Sequence, residues 1–213
     1  MKYQGIIFDL DGVICSTDEY HYLAWKSLAD RLQIPFDRER NNLLRGVSRA
    51  KSLEIILEKS EKTYDETEKA AFAEEKNTLY RELLKQMSTA DLSESVKATL
   101  ENFREAGMKL AVGSSSRNTP FILERIGLGT FFDAVADGNC ITRSKPDPEV
   151  FLKAAAFLGL APSACAVVED AVAGIDAASA GGFLSIGIGD ASNYEKTDKR
   201  INSLAEILLI DCF

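Results

Sequence analysis

Asp9 and Asp11 stand two residues apart where the apolar run Ile6-Ile7-Phe8 meets Gly12. Runs of that kind form strands of a buried parallel sheet, and ligands of open α/β sheets collect beyond the strands' carboxyl ends. Both carboxylates are therefore expected at a binding crevice. Like charges at this spacing resist joint ionisation unless a cation is bound or a proton retained, and a hard ion such as Mg²⁺ fits carboxylate and carbonyl oxygens. This is phosphate-handling chemistry. Taken alone, Asp11-Gly12 reads equally well as a simple chain turn, with Asp9 capping the next segment.

Three further segments carry polar groups to the same place. Lys109-Leu110-Ala111-Val112-Gly113 ends in Ser114-Ser115-Ser116, followed by a helical stretch through Phe121, Ile122, Leu123 and Ile126. Hydroxyls and free backbone N–H groups at a helix start make an anion site. Ala164-Cys165-Ala166-Val167-Val168 ends in the acid pair Glu169-Asp170. Between these runs, the prolines of Ser144-Lys145-Pro146-Asp147-Pro148 are expected to hold the chain extended and fix Lys145 just before a helix starting near Pro148. Each feature has an ordinary reading as a cap, a dipole partner or a solvated loop charge. Four strand ends carrying an acid pair, hydroxyls, a lysine and a second acid pair form one constellation for metal and phosphate.

The order Asp9-x-Asp11-Gly12, Ser114, Lys145-Pro146, Glu169-Asp170 resembles the haloacid dehalogenase superfamily of aspartate-nucleophile phosphotransferases. Further segments are similar to its hexose-phosphate mutases: Glu19-Tyr20-His21 with Ala24-Trp25-Lys26, Leu44-Arg45-Gly46-Val47-Ser48-Arg49 with Ser52-Leu53, Lys76-Asn77, and Ser114-Ser115-Ser116-Arg117-Asn118. The resemblance covers nearly the whole chain. It implies that Asp9 is the nucleophile and that Mg²⁺ is held by Asp9, the backbone carbonyl of Asp11 and the Asp170 carboxylate, with Glu169 ordering metal-bound water. Asp11 would be general acid and base, while Lys145, Ser114 and the Ser115 backbone hold the transferring phosphoryl group. Arg49 with Ser116 and Asn118 would grip a distal phosphate. His21 would approach Asp11 when a cap closes, Lys76 would meet a sugar hydroxyl, and Trp25, Leu44, Gly46, Val47 and Ser52 would line the sugar pocket or the cap core. From position alone, Lys76 in Glu74-Glu75-Lys76-Asn77 reads as a solvated helix face and Arg49 as an exposed helix charge.

The implied reaction interconverts β-D-glucose 1-phosphate and glucose 6-phosphate through an aspartyl phosphate and β-glucose 1,6-bisphosphate; the alternative is a sugar-phosphate phosphatase. Three positions depart from the family pattern. Arg45 stands where lysine is common, Ser93-Glu94-Ser95 replaces a Pro-Gly turn, and Ser115 replaces a frequent alanine.

The elements that must position these residues are an α/β core and a helical interruption. From Ser16 to about Met87 apolar residues recur at three and four, as in Leu53, Ile56 and Leu57 or Leu79, Leu83 and Leu84, and Ser16 with Glu19 forms a candidate capping box. After Ala90 helices and strands alternate through Phe183-Leu184-Ser185-Ile186-Gly187, which implies a Rossmann-like parallel sheet covered on both faces. We therefore expect a core of residues 1–15 and 90–213, with 16–89 inserted over the crevice as a bundle like the family's mobile four-helix cap. Its linkers would lie near Cys15 to Asp18 and Met87 to Asp91.

Composition bounds the function. With 213 residues, 46% of them hydrophobic, the chain can bury a large core. A net charge of −8 argues against sequence-independent nucleic-acid binding, and no charge-free stretch approaches a membrane span of ~20 residues. Cys15, Cys140, Cys165 and Cys212 lack metal-ligand spacing, and no signal-peptide pattern precedes the first run, so a reducing cytoplasm is expected. The expected partners are small hexose phosphates, with neither nucleic acid nor membrane, acting on a monomer.

Overall fold

The computed structural model describes residues 3–210; Cys212 lies outside them. Six parallel strands form one sheet in the order β3-β2-β1-β4-β5-β6: β1 (Gly5–Phe8), β2 (Lys109–Gly113), β3 (Ala134–Ala136), β4 (Cys165–Glu169), β5 (Leu184–Gly187) and β6 (Lys199–Arg200). Phe8 pairs with Val112 on one side and Val168 on the other, so Asp9, Gly113 and Glu169 lie at one level and Ser114 follows one residue beyond. The chain order reverses at β1. The connections that follow β1 and β4 leave to opposite sides of the sheet, and the crevice between them is where ligands enter such sheets.

The side-chain period of two divides the apolar strands between two cores. Ile6, Phe8, Leu110, Val112, Ala166 and Val168 face one core, packed by Leu100 and Phe103 of α5 (Glu94–Glu105) and Ile122 and Leu123 of α6 (Thr119–Arg125). Ile7, Ala111 and Val167 face the other, packed by Val150, Phe151, Ala154, Ala155 and Leu158 of α7 (Glu149–Leu158) and by Ala177 and Ala178 of α8 (Val172–Ala180). The sheet is therefore buried on both faces, as its unbroken apolar strands require.

Between β1 and α5 the chain forms α1 (Asp18–Arg31), α2 (Arg38–Asn42), α3 (Arg49–Leu57) and α4 (Glu66–Leu84), with no strand. These helices share a core of Trp25, Leu28, Ala29, Ile34, Phe36, Leu44, Leu53 and Ile56. Tyr80 and Leu84 of α4 and Ala24 of α1 instead join the sheet-side core, which seats the helices against the crevice. Arg125 Nε fastens the return segment by donating to the Met87 carbonyl at 2.8 Å.

Several local expectations change. The helix α1 starts after Thr17 rather than from a Ser16–Glu19 capping box: Thr17 is the N-cap without a side-chain cap bond, and Glu19 pairs with Arg38 at 2.7 Å. Ser93 does cap α5, accepting from Val96 N at 3.2 Å. Residues 144–147 turn rather than run extended, with Asp147 N donating to Ser144 O at 3.1 Å and a cis Lys145-Pro146 bond. The edge strand β6 was not anticipated, because its two exposed basic residues carry no apolar pattern.

Phe151 is fully buried in the second core and lies beside Gly113, where a Cβ would meet its ring at 2.7 Å. Phe151→Ala should therefore cost about 3–5 kcal/mol. Urea denaturation checks this, and a loss below about 1 kcal/mol would show that α7 packs far more loosely.

Candidate active site

The loops at the carboxyl ends of β1, β2 and β4 and the facing helices α1, α3 and α4 enclose one cavity of about 510 Å³. Asp9, Asp11, Ser114, Lys145 and Asp170 line its sheet end. His21, Trp25, Leu44, Gly46, Val47, Arg49, Ser52 and Lys76 line the helical side, and Ser115, Ser116 and Asn118 complete the wall. Glu169 is fully buried behind this surface.

The sheet end is organised by a buried lysine. Lys145 Nζ donates to Asp9 Oδ1 and, at 2.7 Å, to Glu169 Oε2. Glu169 Oε1 in turn accepts from Asp170 N at 3.1 Å and Ala171 N at 3.0 Å. One oxygen each from Asp9, Glu169 and Asp170 lies within 4.8 Å of the others. Three close carboxylates against one ammonium leave uncompensated negative charge. Burial pushes Asp9 up to about 7, opposed by Lys145, and burial followed by the charge of Glu169 pushes Asp170 up to about 9. Lys145 stays charged: burial opposes its proton, and the Asp9 and Glu169 carboxylates outweigh burial. This set of hard, crowded oxygens fits a divalent cation, which would supply the missing charge. Close approach is built in, since a Cβ at Gly12 would lie 2.1 Å from Asp170 Oδ2 and one at Gly174 would lie 1.9 Å from Glu169 Oε2.

Asp11 faces away from this cluster. Its oxygens accept from Thr17 N at 2.6 Å and Thr17 Oγ1 at 2.8 Å, and Tyr80 OH donates to that hydroxyl at 3.1 Å. Burial raises Asp11 to about 6, against the lowering effect of the Thr17 bonds. A carboxyl in that range can hold or release a proton near neutrality.

The serine loop differs in detail from a set of free amides. Ser116 N donates to Ser114 Oγ and Asn118 N to Ser116 Oγ, each at 3.2 Å, so two of the expected anion donors are already engaged. Each serine hydroxyl accepts there and keeps its own O–H for a ligand. The buried Ser115 hydroxyl has no partner. Asn118 Nδ2 donates to Asn77 Oδ1 of α4 at 3.0 Å, tying sheet side to helical side.

On the helical side, Lys76 is 3% exposed, which corrects its reading as a solvated face. Its Nζ sits over the rings of Tyr80 at 4.1 Å and Trp25 at 4.7 Å and is 2.9 Å from His21 Nδ1. Aromatic faces hold a cation without a carboxylate. Burial, then the nearby Arg49, drives Lys76 well below the usual lysine range, and burial, Lys76 and Arg49 do the same to His21. The imidazole is neutral at pH 7 and stacks on Tyr80 with centroids 4.1 Å apart; no hydrogen bond joins it to Asp11. Arg49 is half-buried and 3.6 Å from Glu74. Burial and the neighbouring Arg117 both disfavour its charge, with Glu74 opposing them. Arg117 also lines the cavity, a role that reading the sequence missed although it lies between Ser116 and Asn118. Arg45 pairs with Asp18 and lies 3.6 Å from Asp190 on the sheet side.

A parallel sheet with a charged crevice at its switch point, roofed by helices carrying Lys76 and Arg49, defines an α/β enzyme built for small anionic substrates. The chain belongs to the haloacid dehalogenase-like hydrolase family, whose model matches residues 3–182. It is 39% identical over 208 residues to the β-phosphoglucomutase of Bacillus subtilis (strain 168), covering 97% of this chain and 92% of that protein. A phosphorylated carbohydrates phosphatase of Thermotoga maritima is 30% identical, over 84% of this chain and 82% of its own. The crystal structure of a β-phosphoglucomutase from Clostridium difficile superposes with a TM-score of 0.90 at 36% identity, covering 96% of this chain and 93% of that one.

The acid cluster predicts how stability varies with pH. Unfolded carboxylates titrate near 3.8 whereas folded Asp9 and Asp170 titrate near 7 and 9, so between those limits the folded state binds more protons. Metal-free protein should lose stability as pH rises from about 5 to about 9. A divalent cation should release protons on binding and flatten that loss. Melting temperatures at pH 5.5, 7 and 8.5, with chelator and with Mg²⁺, check this; a chelated protein that grows more stable with rising pH would contradict the charge imbalance.

Proposed function

We propose that the chain interconverts β-D-glucose 1-phosphate and glucose 6-phosphate through an aspartyl phosphate at Asp9 and β-glucose 1,6-bisphosphate. The observation that carries this reading is one cavity with two cationic regions, Lys145 among the acids and Arg49 with Arg117 on the wall. A phosphatase needs only the first. A mutase must hold a phosphate at each end of its intermediate and release it to turn over.

Asp9, fixed by Lys145, attacks the phosphoryl group, and Lys145 with the Ser114 hydroxyl and Ser115 N–H stabilises the spreading oxygen charge. Mg²⁺, held by Asp9, the Asp11 carbonyl and Asp170 with Glu169 behind them, would lower the charge repulsion between nucleophile and phosphate. Asp11 leaves Thr17, protonates the departing sugar oxygen and later takes the proton of the incoming hydroxyl. Arg49, Arg117, Ser116 and Asn118 grip the remote phosphate, for which a planar guanidinium offers two parallel bonds. Trp25, Leu44, Gly46, Val47 and Ser52 form the sugar wall beside Lys76 and His21. Residues 16–89 act as a cap on the core of 1–15 and 90–213, excluding water from the aspartyl phosphate.

We read the protein as a monomeric cytoplasmic enzyme of small hexose phosphates that binds no nucleic acid. In support, no helix among the described residues is long and apolar enough to cross a membrane, and Cys15, Cys140 and Cys165 are free thiols.

Arg49→Ala should injure mutase turnover far more than hydrolysis of a small aryl phosphate. Losing a bidentate charge-assisted contact should cost about 1.5–3 kcal/mol, or roughly one to two powers of ten. Arg49→Lys should recover part of this. Kinetics of both reactions on the three proteins decide: a parallel fall, or no change, would move the distal phosphate away from Arg49 and favour the phosphatase.

A further inference from the structure

We propose that Asn41 is a specificity-determining residue whose side-chain amide reads a ring hydroxyl of the hexose phosphate. The inference rests on the sugar-phosphate reading above and adds a contact that neither the motifs nor the family resemblance provides. Asn41 lies near the end of α2, with backbone bonds that belong to the helix: its N–H donates to Asp37 O at 3.0 Å and its carbonyl accepts from Leu44 N at 3.0 Å. Its side-chain oxygen has no such employment. The residue is 8% exposed, Oδ1 is buried with no hydrogen-bond partner, and Asn41 is one of the residues that line the cavity.

A buried amide oxygen with nothing to bond is unfavourable in a folded protein, and native structures satisfy nearly all such groups. A ligand that completes the amide explains its position. One side chain here offers both an acceptor and a donor, which matches a hydroxyl, itself donor and acceptor; a phosphate oxygen would leave Oδ1 facing negative charge. The surroundings agree. Trp25, Leu44 and Ala73 give the same cavity apolar surface for the C–H faces of a pyranose, and Ser52 adds a hydroxyl. A site built to bond a hydroxyl rejects analogues that lack it, because its own polar group then stays unpaired.

The test compares wild type with Asn41→Leu, which keeps the volume and removes the amide, using β-glucose 1-phosphate and its 2-, 3- and 4-deoxy analogues. Wild type should lose about 10- to 100-fold in kcat/KM on one deoxy analogue. Asn41→Leu should lose a similar factor on the parent sugar yet treat that analogue and the parent alike. Its melting temperature should hold or rise, since an unsatisfied group has been removed. Should the leucine variant fail to fold, Asn41→Ser is read through the same series. Equal use of the parent sugar by wild type and variant, or equal losses on all four sugars, would overturn the assignment of Asn41 while leaving the mutase reading intact. Absence of conversion by wild type would overturn that reading and this one with it.

Discussion

Lys145 is the one cation in a buried group of three carboxylates, and the rest of the structure is arranged around that imbalance. Its ammonium touches both Asp9 and Glu169, while Asp170 sits within the same small volume. Burying charge is costly unless it is paired, and here the surroundings leave the pairing incomplete. The backbone N–H groups of Asp170 and Ala171 hold Glu169, and the glycines at 12 and 174 leave room for the acids to crowd. The loop carrying Lys145 is pinned in turn. Glu149 Oε2 accepts from Thr142 N and Oγ1 at 3.0 Å and from Arg143 N at 2.8 Å, and these bonds hold Glu149 down to about 2.

The helical side presents the opposite imbalance. Lys76 and His21 meet without a carboxylate between them, and burial with the neighbouring Arg117 disfavours the charge of Arg49. A chain of net charge −8 thus gathers Lys76, Arg49 and Arg117 above an acid cluster in one cavity. Each end is unfavourable alone. A divalent cation at the acids and an anionic substrate at the basic residues would each offset the charge imbalance it meets, so that stability lost in the empty protein would return as binding and orientation.

The sheet end was legible because strand boundaries announce it. Ile6-Ile7-Phe8, Lys109 to Gly113 and Cys165 to Val168 are strands in the structure, and the residues just past a parallel strand lie at the crevice. The sequence alone therefore brings Asp9, Asp11, Ser114 and Asp170 to the crevice, and all four line the cavity. The helical side was harder, since helical positions show which faces are apolar but not what opposes them. Lys76 sits among charged neighbours in sequence, and only the packing of Trp25 and Tyr80 around it shows it to be buried. Thr17, rather than Ser16, precedes α1 because its hydroxyl bonds Asp11, a contact no capping rule contains. Asn41 carries no motif, and its meaning lies in a bond it does not make.

The most direct test of the mutase reading measures two products at once. Given β-glucose 1-phosphate, Mg²⁺ and a trace of β-glucose 1,6-bisphosphate, the protein should form glucose 6-phosphate mole for mole with substrate lost, while free phosphate stays at background. Free phosphate released in step with substrate loss would contradict it: water, not the sugar hydroxyl, would then be the acceptor at the Asp9 phosphate.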